Sequence, residues 1–237
     1  MTRTIDDLEG GELEIVGQLV DASNASLFCQ LSRKNDDPMP VIYKPRAGER
    51  PLWDFPEGTL SRREVAARIV SDSLGWAVVP PTVWREGPFG PGMVQQWVEV
   101  DESADVVAMV QSDHPFLQKV AVFDALINNA DRKGGHLLPT TDGHIWGIDH
   151  GVSFAVENKL RTVLWQWRGE ELPEELLSDL RRWTEEWSED PEWLTRLRDH
   201  LSAGELRALK RRAERLIATR RHPEPSPDWP AIPWPPF

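Results

Sequence analysis

The chain has 237 residues, 40% of them hydrophobic, enough to bury a sizeable core in one large domain or two small ones. Its 39 acidic against 27 basic residues give a formal net charge of −12, a field that repels nucleic acid and anionic lipid headgroups, so neither is an expected partner. No apolar run approaches the roughly 20 residues of a spanning helix. The start MTRTIDDLEGGELE has no apolar leader core, and the lone Cys29 cannot form an intramolecular disulfide, so the expectation is a soluble cytoplasmic protein.

Residues 12–100 carry short Val-, Ile- and Leu-rich segments separated by Gly, Pro, Asn and Asp, the pattern of antiparallel strands and turns. ELEIVGQLV and SLFCQLSRK flank the turn DASNA as a hairpin, and PVIYKPR is a third strand closed by Pro45. One helix interrupts the strands. SRREVAARIVSDSLGW opens with Ser61-x-x-Glu64, a capping-box pattern, carries Val65, Ile69, Val70 and Leu74 at helical spacing, and stops at Gly75. VVPPTVWRE and GMVQQWVEV read as two further strands. HPFLQKVAVFDALINNA is then a largely buried helix that delivers a polar loop from its C-terminal end, and GHIWGIDHG is a short strand running into Asp149. Three helices follow: PEELLSDLRRWTEEW, PEWLTRLRDHL after Asp190-Pro191, and GELRALKRRAERLIATRR opened by Ser202-x-x-Glu205. The final HPEPSPDWPAIPWPPF has too many prolines for helix or central strand and reads as an extended tail, either packed down by Trp229 and Trp234 or disordered.

Phosphoryl transfer from ATP asks a protein for a cation on the phosphates, acidic or amide ligands for magnesium, and a carboxylate that orients the acceptor hydroxyl. This chain offers them in a workable order: a small polar hairpin turn containing Ser23 and Asn24, a lysine inside a strand (Lys44), a helix glutamate (Glu64), a loop aspartate (Asp131), and a strand-end aspartate before glycine (Asp149-His150-Gly151). Each residue also has a plainer reading. Lys44 can snorkel, Glu64 can cap its helix, Asp131 can terminate a turn, and DASNAS lacks the glycines of a strong phosphate loop.

VIYKP, the helix ending in LGWAVVPPT, the strand MVQQWVE, the loop NADRKGGH and IDHGVSF together resemble the phosphoinositide 3- and 4-kinase-like superfamily, and more closely its small bacterial members of unassigned substrate. The resemblance spans residues 12–185, and HipA-type protein kinases share a similar plan. It implies that Lys44 holds the nucleotide phosphates and pairs with Glu64, and that Gln95, Gln96, Trp97 and Val98 form the hinge facing adenine. It further implies that Asp131 is the catalytic carboxylate with Arg132 beside it, and that Asp149 is the main metal ligand. The family commonly has asparagine five residues after the catalytic aspartate as a second ligand; here that position is His136, which suits softer metals better than magnesium.

The expected fold class is α+β, a two-lobed kinase-like fold: residues 1–100 as a sheet with one helix, 101–221 as a helical lobe, and 222–237 as the tail. ATP with Mg2+ or Mn2+ is the expected cofactor set and an unidentified hydroxyl compound the acceptor, with no nucleic acid and no stable membrane binding. The alternatives are a HipA-like Ser/Thr protein kinase and a nucleotide-binding pseudokinase without turnover.

Overall fold

The structure is a computed structural model that describes residues 8–19, 24–33 and 37–237. In chain order its elements are β1 (Glu12–Gln18), β2 (Leu27–Ser32), β3 (Met39–Pro45), α1 (Leu60–Leu74), β4 (Thr82–Gly87), β5 (Gly90–Gln96), α2 (Val106–Val110), α3 (Pro115–Ile127), β6 (Leu137–Pro139), β7 (Ile145–Gly147), α4 (Glu174–Glu186), α5 (Glu192–Arg198) and α6 (Ala203–Thr219). The first five strands form an antiparallel sheet in the order β1-β2-β3-β5-β4, and β6 pairs with β7 in a small ribbon.

Alternation along β2 and β3 decides which face of the sheet is dry. Leu27, Cys29 and Leu31 with Met39, Val41 and Tyr43 share one face and form a core with Leu13, Val83 and Val94. Burial there pushes the Cys29 thiol pKa up to about 11, so it packs as a small apolar side chain. The register pairs Phe28 with Ile42, Ile42 with Gln95 and Lys44 with Met93, which puts these residues on the opposite face, toward the helices. A lysine therefore stands on the inner face of the sheet because of its parity in the strand.

Helix α1 departs from its sequence reading at its start. The N-cap is Thr59 with no side-chain cap bond, and Ser61 lies inside the helix. Instead Glu49, from the loop after β3, accepts from the amides of Leu60 (3.0 Å) and Ser61 (2.8 Å) and from the Ser61 hydroxyl. A carboxylate on the exposed N–H groups of a helix start complements both the unpaired donors and the dipole. The expected Ser61/Glu64 capping box is thus replaced by an external acid, which frees Glu64. The helix ends as expected at Gly75, whose φ of 71° is left-handed.

Most of α1 is buried, because one side meets the sheet and another meets α4 and α5. Arg63, only 1% exposed, pairs with Glu205 at the start of α6 and donates to the Ser153 carbonyl at 2.7 Å, tying the N-terminal lobe to the helical one. Helix α3 runs through the main core with Leu117, Val120, Phe123, Leu126 and Ile127 all fully buried. Truncating a residue such as Phe123 to Ala removes about 3–5 kcal/mol of stability on general grounds. The Ser202/Glu205 capping box of α6 forms as read from the sequence.

The tail after α6 packs along the helical lobe. The Ala231 carbonyl accepts from Thr162 N (3.1 Å) and Trp165 Nε1 (2.8 Å), and the Pro236 carbonyl accepts from Gly134 N (2.8 Å). Trp229 packs down, but Trp234, also expected to, is 85% exposed. Among the described residues no helix is long and apolar enough to cross a membrane.

Candidate active site

Lys44 Nζ lies 2.7 Å from Glu64 Oε1 and 3.1 Å from Asp149 Oδ1. Strand β3 supplies the lysine, α1 the glutamate, and the loop after β7 the aspartate. Burial alone works against a charge on Lys44, but Asp149 and Glu64 outweigh it and hold its pKa above the ordinary lysine value. Lys44 in turn holds the Asp149 carboxyl far below the usual range. Burial pushes the Glu64 carboxyl up against the pull of Lys44, a direction set by its 2% exposure. Glu64 Oε2 also accepts from the amide of His150 at 2.8 Å, so one glutamate fixes both the lysine and the strand-end loop. An ammonium has three donors. Two are engaged here, and the third is free for a phosphate oxygen.

Asp149 has a left-handed backbone, φ 59°, costly for a residue with a Cβ and common where a site imposes the conformation. Its side chain is 48% exposed toward the cleft, and its Oδ2 faces His136 Nε2 at 3.5 Å. Burial drives the His136 pKa down to about 4, against the pull of Asp149, so the ring is neutral near pH 7. His136 Nδ1 accepts a long bond (3.4 Å) from Lys133 N, which leaves Nε2 on the Asp149 side. A carboxylate and a neutral imidazole are acceptable divalent-metal donors as a pair, with other positions left to phosphate oxygens and water. Among the described residues no group of three or more such side chains converges, so a metal here would need ligands from outside the protein for the rest of its shell.

The loop carrying Asp131 is built on a buried ion pair that sequence reading passed over. Asp124 on α3 is fully buried and accepts from Arg132 at 2.9 Å through both Nε and Nη2. Arg132 also donates to the Ile148 carbonyl (2.8 Å) and meets His150 Nε2 (2.6 Å), whose ring burial keeps it neutral. The guanidinium thus welds the Asp131 loop to the Asp149 loop from behind. Placed beside Asp131 as a catalytic residue by the resemblance, Arg132 is 0% exposed and turned away from the cleft, so its place is a positioning one. Asn129 links the same parts, donating to Asp124 Oδ1 (3.0 Å) and accepting from Asp131 N (3.0 Å).

Asp131 itself faces the cleft, and burial raises its pKa against the opposing charge of Lys133, whose Nζ lies 3.3 Å away. Lys133 was not singled out from the sequence, although its i+2 spacing from Asp131 in an extended loop was the available signal. Lys44, Glu64, Asp131 and Asp149 line one cavity of about 390 Å3 with Trp53, Arg161 and Trp229.

Of the nucleotide-facing residues expected from sequence, Ser23 lies outside the described residues. Asn24 lines the cavity, with its Oδ1 accepting from the backbone of Arg50 at 2.8 Å. Gln95 is 5% exposed and its side chain donates to Thr82 Oγ1 (2.8 Å). Gln96, Trp97 and Val98 are half-buried at the exit of β5, with Trp97 edge-on to Phe28 at 5.1 Å.

No family model matches the chain. Among solved structures, hydra Fam20 with sugar superposes with a TM-score of 0.57 at 15% identity, covering 91% of this chain and 86% of that one. The Golgi casein kinase gives 0.58 at 16% identity, covering 91% and 72%. The Helicobacter pylori proinflammatory kinase CtkA gives 0.56 at 14% identity, covering 92% and 95%. These likenesses show a protein-kinase-like fold. Protein Rv2133c of Mycobacterium tuberculosis is 39% identical over 265 residues, covering 97% of this chain and 94% of its own length. At that identity and coverage, the chain belongs to the same family as Rv2133c.

Proposed function

We propose that the protein is an ATP-dependent phosphotransferase acting on a hydroxyl group. The observation that carries the reading is Lys44, held between Glu64 and Asp149 on the cavity that also contains Asp131. Lys44 offers its free donor to the nucleotide phosphates, and Glu64 keeps it aimed. Asp149 and His136 would hold a divalent cation, which supplies charge neutralisation across the phosphate oxygens. Asp131 takes the proton of the acceptor hydroxyl as its oxygen bonds to the γ-phosphorus and the bond from that phosphorus to the ADP oxygen breaks, the electron pair leaving with ADP. Its raised pKa makes it a better base than a surface aspartate. Lys133 faces the charge that Asp131 and the transferred group share. The resemblance of VIYKP, NADRKGGH and IDHGVSF to phosphoinositide 3- and 4-kinase-like proteins, with HipA-type kinases similar in plan, belongs to this reading.

His136 favours a second reading, nucleotide binding without turnover, because an imidazole stands where a kinase of that superfamily commonly has asparagine. Thermal melting with ATP or ADP and Mg2+ or Mn2+, followed by ADP-release assays, separates the two. Binding with turnover lost in Asp131→Ala supports the transferase; binding with no turnover in the parent supports the second reading. No nucleotide-induced shift, with Lys44→Ala and Asp149→Ala melting like the parent in nucleotide, refutes both.

A further inference from the structure

We infer that the acceptor of this site is a small anionic alcohol, carrying a phosphate or carboxylate that Arg161 holds beside Asp131; the assignment rests on the phosphotransferase reading above. Among the described residues, three cations line the cavity: Lys44, Arg50 and Arg161. Lys44 is occupied by two carboxylates. Arg50 is exposed at the rim. Arg161 is half-buried, and its Nε is buried with no hydrogen-bond partner. A buried guanidinium nitrogen left this way lacks the partner that buried polar groups ordinarily find. An anion in the cavity would give this guanidinium a charge partner.

The backbone fixes where that anion would sit. Arg161 N donates to the Asn129 carbonyl (2.9 Å) and the Arg161 carbonyl accepts from Arg132 N (3.0 Å), so residue 161 runs alongside the catalytic loop on both sides of Asp131. Its charge acts on the Asp131 carboxyl, whereas the Asp149 carboxyl is governed by Lys44 and the histidines. Arg161 therefore belongs to the acceptor end of the cavity and Lys44 to the nucleotide end.

Size points the same way. Lys159 pairs with Asp54 at 2.9 Å, and its Nζ sits 5.5, 5.3 and 5.3 Å from the rings of Trp53, Phe55 and Trp229. This knot joins the loop before α1, the loop after Asp149 and the tail across the acceptor end. The cavity of about 390 Å3 is of a size to take a small acceptor beside the triphosphate. In the transfer, the acceptor oxygen gains the γ-phosphoryl group, its proton passes to Asp131, and ADP leaves, while the anionic group on Arg161 is unchanged.

The test separates a deproteinised bacterial metabolite extract by strong anion exchange and measures ADP release by the full-length protein with ATP and Mn2+. The retained, anionic fraction is expected to stimulate ADP release and the unretained fraction is not. Arg161→Gln should raise the half-saturating amount of that fraction by at least about tenfold, leave half-saturation by ATP within about twofold, and keep the ATP-induced melting shift; Arg161→Lys should recover part of the loss. Stimulation by the unretained fraction, or by neither while ATP still shifts the melt, overturns the anionic acceptor. So does an Arg161→Gln defect that falls on ATP. Absence of any ATP-induced shift in the parent protein is instead a failure of the phosphotransferase reading.

Discussion

Arg132→Met tests the account of the site's foundation. Arg132 and Asp124 are both 0% exposed, and the guanidinium makes two 2.9 Å bonds to the carboxylate and one of 2.8 Å to the Ile148 carbonyl. Methionine fills much of the same volume but leaves Asp124 a buried anion whose remaining side-chain partner is Asn129 Nδ2. Removing one member of such a pair costs about 3–5 kcal/mol. For a chain of this size each kcal/mol moves the melting temperature by roughly 2–4 °C, so the expected drop is about 6–20 °C. The Asp124→Leu/Arg132→Met double variant removes both charges and should melt above Arg132→Met itself, because replacing a whole buried pair with apolar groups is often neutral. The assay is calorimetric or dye-monitored melting of parent, both single variants and the double. Below its melting temperature Arg132→Met should still be stabilised by ADP, since Arg132 is turned away from the cleft. A melting temperature within about 2 °C of the parent, or a double variant as unstable as the sum of the singles, refutes the idea that this pair carries the loop.

Three further outcomes are expected. Lys44→Ala should abolish the ATP-induced melting shift, because it removes the free donor and leaves Glu64 and Asp149 facing each other unneutralised; an undiminished shift means the phosphates bind elsewhere. His136→Asn should move the ratio of Mn2+ to Mg2+ needed for the ADP-induced shift toward magnesium by about tenfold, and an unchanged ratio shows that His136 does not touch the metal. Burial holds the pKa of His200 and His222 down to about 4, below the ordinary histidine value of 6.5. Between those values the unfolded chain binds protons that the folded one refuses, so stability is fully present above about pH 6.5 and declines as pH falls toward 4. His222→Gln should shrink the difference in melting temperature between pH 7 and pH 4.5, and an equally steep fall in the variant counts against this linkage.

What could be read from the sequence followed a physical division. Residues whose role depends on parity within a strand or on a loop at a fixed place were legible: Lys44 is on the inner face because β3 alternates, and Asp131 and Asp149 flank the β6–β7 ribbon that brings their loops together. Glu64 had a competing reading as half of a capping box, which the chain order could not remove because the acid that meets the start of α1 is Glu49, a residue from another element. The same limit hid the Asp124–Arg132–His150 cluster, whose members meet only once the turns of α3 and the ribbon are folded. Asp124 reads as one more position on an apolar helix, and Arg132 as one more loop charge. Arg161 is hidden still more deeply, since its significance is the partner its Nε lacks, a property with no pattern along the chain. Asp131 and Asp149 could be found from residue type and order. The arginines show why those aspartates are held where they are, because Arg132 closes the loops from behind and Arg161 leaves a charge open in front of Asp131.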